Sequence, residues 1–173
     1  MTFSIKTIIR ACAAPRHRLS CHAELWAEVT RQLERRGEER HEAGVFLLGY
    51  ATPKHRRVVD TVYYDELDPD AYSSGVCILH APAFAKLWAI CRERKLTVVA
   101  DVHTHKGAAN QSASDKANPM VARDGHVAII VPNFAATPVP MEKLGIYEYR
   151  GGHTWRDCSP RTVRGSVSSG IWG

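Results

Sequence analysis

The run LTVVADVHTH, residues 96–105, decides how the rest of the chain is read. It is rich in β-branched residues, lacks Gly and Pro, and reads as a buried strand. Residues i and i+2 of a strand point to the same side, so His103 and His105 present two imidazoles toward one point. HVAIIVP (126–132) reads as a second buried strand. Between the two, SASDKAN begins a short helix, and Pro119 biases Asn118 out of the α region and breaks that helix early.

Working outward toward the N-terminus, Pro82 opens a helix whose Phe84, Leu87, Trp88 and Cys91 form one stripe. Arg92, Arg94 and Lys95 suit the negative end of its dipole. Before it lie the short apolar run VCIL (76–79), read as a strand, and the turn-rich loop DELDPDAYSSG (65–75). GVFLLGYA (44–51) and RRVVDTVYYDEL (56–67) read as a hairpin around TPKH. From Ser20 as N-cap, Leu25, Trp26, Val29 and Leu33 recur at helical spacing until Gly37 stops the helix. On the other side, NFAATPVPM (133–141) reads as a flexible loop, and LGIYEY (144–149) with HTWRD (153–157) as a closing hairpin. This order describes an α/β (α+β) fold, a mixed β-sheet flanked by helices.

The chain of 173 residues is long enough for one core without disulfides. Residues 1–157 are read as one domain and 158–173 as a disordered basic tail. The formal charge of +5 is concentrated near the ends, with Arg150, Arg156, Arg161 and Arg164 against Asp157 after residue 149. No Lys/Arg stripe with interleaved aromatics is present, so nucleic acid is not an expected partner. Cys12, Cys21, Cys77, Cys91 and Cys158 contain no CxxC pair and are read as reduced thiols of a cytoplasmic protein. Lys6 and Arg10 interrupt any secretory h-region, and no apolar run approaches the ~20 residues of a membrane helix.

The chemistry concentrates in DVHTHKGAANQSASDKANP, residues 101–119. Neutral imidazole binds zinc well, and a carboxylate readily supplies a third ligand. Asp115 lies ten residues beyond His105, far enough for a Gly/Ala/Asn loop to fold back over the strand end. His103, His105 and Asp115 around Zn2+ leave one tetrahedral position open, the arrangement of a catalytic zinc. Such chemistry needs a base, and Glu42, in HEAGVFLLG at the entry of the first core strand, is the best placed. Ser112 can donate to a developing oxyanion. Equally, Ser112 and Asp115 can be an N-cap and a first-turn acid, and Glu42 a solvated charge.

An upstream Glu before GVFLLG, then HTH, then a Ser and an Asp three apart, resembles the signature of the JAMM (JAB/MPN+) zinc isopeptidases over residues 20–155. Two positions depart from that pattern. Lys106 stands where the family has proline, and six residues (KGAANQ) separate His105 from Ser112 where the family has seven. The resemblance implies a cytidine-deaminase-like JAB/MPN fold, with His103, His105 and Asp115 as zinc ligands, Glu42 as general base and then acid, and Ser112 as oxyanion stabiliser. It implies cleavage after the C-terminal glycine of a ubiquitin-like protein. It also implies kinship with stand-alone bacterial members, some of which serve antiviral conjugation operons. The rival readings are a non-catalytic MPN-type scaffold and a zinc hydrolase acting on a sulfur-carrier protein or a small molecule. By position, 133–141 corresponds to a substrate-clamping insertion that holds a peptide tail by strand addition. Asp101 shares the parity of His103 and is a candidate to orient it, while His126, His80 and Trp155 are read as structural.

Overall fold

β4 (Thr97–Thr104) is the central strand of a mixed sheet. The computed structural model describes residues 18–136 and 138–160, and among these seven strands run in the order β1-β3-β2-β4-β5-β6-β7. They are β1 (Arg18–Ser20), β2 (Gly44–Ala51), β3 (His55–Tyr63), β4, β5 (Val127–Val131), β6 (Gly145–Tyr149) and β7 (Trp155–Asp157). β4 pairs antiparallel with β2 and parallel with β5; β2–β3, β5–β6 and β6–β7 are antiparallel. Every residue of β4 after Thr97 is buried, because helices cover both faces of the sheet.

α1 (Ala23–Gly37) lays Val29 and Leu33 on one face, against Val45 and Leu47 of β2. α3 (Ala81–Arg94) lays Ala83, Leu87 and Cys91 on the other, against Phe46 and Leu48. The alternation of β2 therefore feeds two cores with one strand. Truncating Leu33 or Leu87, both fully buried, is expected to cost about 2–5 kcal/mol.

The mixed α/β architecture expected from the sequence is the one observed, with local corrections. Ser20 is not the N-cap of α1: it belongs to β1, which pairs parallel with β3, and its hydroxyl bonds His55 at 2.8 Å. α1 starts at Ala23, and Glu38, in the left-handed region at φ 50°, ends it one residue beyond Gly37. The tail of the second hairpin strand is helical, forming α2 (Tyr64–Leu67). VCIL is not a strand: Cys77 is tied by its N–H to the Glu42 carboxylate, and Ile78 by its N–H to Ala71 O, instead of to a neighbouring strand. Trp88 is exposed, because Phe84 and Leu87 already fill the contact with the sheet. The expected tail starts late, since Cys158 and Ser159 are buried and the Ser159 hydroxyl accepts from Ile146 N–H. The rest of that tail, from residue 161, lies outside the described residues, as does Cys12. The other four cysteines are free thiols. Among the described residues no helix is long and apolar enough to cross a membrane.

Candidate metal centre

The two histidines sit where β4 leaves the sheet. His103 is held in register between Gly44 of β2 and Ile130 of β5. His105 lies just past the strand, but its N–H still bonds Val131 O at 2.9 Å, so the strand parity carries through to it. Their Nε2 atoms are 3.1 Å apart.

Register also delivers Glu42. Gly44 faces His103, and Ala43 continues the ladder by donating to the Thr104 hydroxyl and accepting from Thr104 N–H. One step further, Glu42 opposes His105, and its Oε1 lies 3.8 Å from His105 Nε2. The Glu42 N–H is bonded to Gly75 O and its Oε2 accepts from Cys77 N–H at 3.4 Å, which draws segment 75–78 across the site.

Asp115 arrives from the loop side on α4 (Ala113–Ala117). Ser112 is the N-cap: its hydroxyl accepts from Asp115 N–H at 3.1 Å, and its own N–H donates to Asp115 Oδ2 at 2.6 Å. This reciprocal cap aims the carboxylate at the imidazoles. Asp115 Oδ1 is 3.6 Å from His103 Nε2, and Oδ2 is 3.3 Å from His105 Nε2. The bland reading of Ser112 and Asp115 as a cap and a first-turn acid is therefore true, and it serves the constellation. One residue fewer in the loop does not keep the carboxylate away.

His103, His105 and Asp115 form a group whose ligand atoms all lie within 4.8 Å of one another and which can hold a metal ion. Atoms on a tetrahedron with bonds of ~2.0–2.1 Å are about 3.3–3.4 Å apart. The observed separations of 3.1, 3.3 and 3.6 Å fit that edge, and two nitrogens with one carboxylate oxygen are a donor set zinc accepts.

The electrostatics agree with a site organised around positive charge. Burial raises the Asp115 carboxyl, but hydrogen bonds from His103 and His105 outweigh it and hold the group well below the usual carboxylate range. Burial lowers His103, but Asp101 and Asp115 more than offset it and hold the imidazole up at about 10. Glu42 is shifted the opposite way from Asp115: burial raises it, only partly countered by the two histidines. A carboxylate raised in this way is suited to taking and releasing a proton.

Behind His103, Asp101 Oδ1 lies 2.5 Å from His126 Nε2, and its Oδ2 is 3.5 Å from the Tyr64 hydroxyl and 3.9 Å from His103 Nδ1. Asp101 thus lies on the His103 side of the strand, as its parity suggested, but beyond hydrogen-bond distance of the ring. His126, read from sequence as structural, anchors Asp101 from β5's entry; nothing in the spacing of residues 101 and 126 signals that contact.

In front of the site is a cleft of about 200 Å³, lined by Glu42, Ile78, His103, Ser112, Asp115 and Trp155 among others. Trp155 was missed as a site residue because it comes from a distant hairpin. Lys106 is exposed and does not line the cleft. Nor does any described residue of 133–141. Phe134 and Ala135 are buried, and Asn133 and Phe134 donate to Gly107 O and His105 O, which commits that segment to holding the ligand loop. The wall opposite Asp115 is instead Val76, Cys77 and Ile78.

No family model matches the chain. A protein named "Probable metalloprotease y4jG" from Sinorhizobium fredii is 27% identical over 150 residues, covering 86% of this chain and 88% of that one. Among solved structures, protein DSY2949 from Desulfitobacterium hafniense is similar with a TM-score of 0.58 at 16% identity, covering 82% of this chain and 90% of that chain. A Salinibacter ruber protein is similar with a TM-score of 0.52 at 18% identity, covering 90% and 97%. The two structures share the fold. Fold and site together define a mixed α/β protein with a His–His–Asp metal-binding constellation and a carboxylate beside it.

Proposed function

We propose that the protein is a zinc-dependent metallopeptidase of JAMM type, an isopeptidase that cleaves after the C-terminal glycine of a ubiquitin-like protein. The observation that carries this reading is the convergence of His103, His105 and Asp115 with Glu42, 3.8 Å from His105, beside a cleft that Glu42, His103 and Asp115 line. The 27% identity to a protein named as a probable metalloprotease supports the peptidase class. The motif resemblance supports the substrate. A cleft of about 200 Å³ between Ile78, Met120 and Trp155 suits an extended tail without bulky side chains at its end. Such a protein matures the ubiquitin-like precursor or removes it from its targets, in the setting of a bacterial antiviral conjugation operon.

Zinc held by His103, His105 and Asp115 supplies Lewis acidity, which makes water nucleophilic near neutral pH and polarises the scissile carbonyl. Glu42 takes the proton of the attacking water and hands it to the departing amine as the C–N bond breaks. The hydroxyl of Ser112 uses its oxygen to cap α4, and its O–H donates to the oxyanion that develops. Asp101, fixed by His126, puts a negative charge 3.9 Å behind His103 Nδ1.

Three measurements on the purified full chain test this. Emission spectroscopy is expected to give one zinc per chain; none would favour the scaffold reading. A ubiquitin-like fusion or isopeptide conjugate is expected to be cut after its terminal glycine; a small amide or ester cut instead would favour the small-molecule hydrolase. Glu42→Ala is expected to retain zinc and fold and to lose turnover, whereas loss of zinc would make Glu42 a ligand.

A further inference from the structure

Asp115 is the ligand that its own element does least to place. α4 has five residues and buries none of them, so helix packing does not fix where the carboxylate stands. The fixing comes from below, from the β6–β7 hairpin. The Tyr147 hydroxyl donates to Ala109 O at 3.0 Å, and Trp155 Nε1–H donates to Lys116 O at 3.1 Å. These two bonds grip the ligand segment on either side of the Ser112–Asp115 cap. Ala109 is buried against Ile130 and Tyr147, with Trp155 packed beside them, and the Trp155 ring stands edge-on to Tyr149 with centroids 5.0 Å apart.

We propose that Tyr147 and Trp155 are positioning residues of the metal site. The hairpin holds the 109–116 segment at both ends through two side-chain hydrogen bonds, and so sets the reach of the Asp115 carboxylate toward His103 and His105. This is how a loop of six residues between His105 and Ser112 still brings its acid home. Trp155 has a second part, because the same ring is a wall of the cleft. The inference rests on the metal-site reading, and it assigns the hairpin a role that core packing alone would not give it.

Trp155→Phe keeps a ring against Tyr149 and removes the Nε1–H; Tyr147→Phe keeps the ring and removes the hydroxyl. Zinc affinity is measured by chelator competition on the full-length proteins, with the visible spectrum of the cobalt-substituted forms as a report on ligand geometry. Each Phe variant is expected to bind zinc about 10-fold more weakly, the double variant more weakly still, and the cobalt bands to shift. The unfolding temperatures of the metal-free proteins are expected to stay close to that of the unaltered chain. Asp115→Ala is the reference and is expected to weaken zinc further than either. Unaltered affinity and spectra in both Phe variants, with affinity lost in Asp115→Ala, would overturn the clamp and leave the metal site standing. Unaltered affinity in Asp115→Ala would overturn the metal-site reading itself. Should Trp155→Phe fail to fold, Tyr147→Phe decides alone.

Discussion

The two halves of the metal centre are built by different means. His103 belongs to a strand flanked on both sides and His105 follows directly after it, and their convergence follows from the two-residue period of β structure and from the β2 and β5 ladders. Asp115 belongs to a mostly exposed five-residue helix reached by a loop, and its position depends on a few hydrogen bonds from Ser112, Tyr147 and Trp155. One half is rigid because the core is rigid. The other is rigid only while a few polar contacts hold, and local opening is expected to begin there.

The largest expected effect separates the halves outright. His103→Ala removes the ligand that the sheet fixes and is expected to abolish stoichiometric zinc, read by emission spectroscopy, whereas Asp115→Ala leaves two imidazoles and is expected to retain weakened binding. Equal losses in the two variants would erase the distinction. Next in size is Gly145→Ala. A Cβ built there would stand 2.0 Å from Ala109 O, a backbone atom that cannot step aside without moving the ligand loop. The substitution is expected to cost about 1–3 kcal/mol in stability and to weaken zinc binding, with β4 undisturbed. Wild-type zinc affinity in that variant would show that the loop takes its position from elsewhere.

The same division explains what could be read from the sequence. The HTH pair, the flanking strands, both long helices and the short SASDKAN helix were legible because period and punctuation encode them. Glu42 was legible too, as an acid at the entry of an apolar strand, although its place opposite His105 needs the β2–β4 register. What was not legible lies in long-range contacts of single residues. His126 against Asp101 and Trp155 against Lys116 join segments 25 and 39 residues apart, and no local pattern announces either. β1 is three residues long and forms the edge of the sheet, too short to show a period. VCIL has strand composition, yet its Cys77 and Ile78 N–H groups are spent on Glu42 and Ala71, so it becomes a wall of the cleft. At the start of 133–141, Asn133, Phe134 and Ala135 take positive φ values of 54°, 53° and 60° and tuck inward, a backbone path that no glycine in the sequence announces.

Removing the metal sharpens the comparison at intermediate size. Zinc at a hundredfold over its dissociation constant stabilises a folded site by about 2.7 kcal/mol, and chelation withdraws that amount. Amide hydrogen exchange is expected to rise in 106–117 on chelation while 98–104 stays protected, since the β4 ladder is complete without a cation. Uniform loss of protection across both segments would mean that the sheet also depends on the metal.

The smallest effect belongs to the cap. Ser112→Ala removes the acceptor for Asp115 N–H while the Ser112 backbone N–H still reaches the carboxylate, so only one of the two reciprocal bonds is lost. Loss of such a cap costs about 1 kcal/mol, and on a helix with no buried residue that cost falls on local fraying more than on global unfolding. The unfolding midpoint is therefore expected to move little, while exchange at 113–117 accelerates roughly fivefold to tenfold, about what 1 kcal/mol provides. Ser112→Thr, which restores the hydroxyl, is expected to return that exchange to its original rate. If Ser112→Ala lowered the midpoint as much as Gly145→Ala, the loop half would be as deeply coupled to the core as the strand half, and the contrast between them would fail.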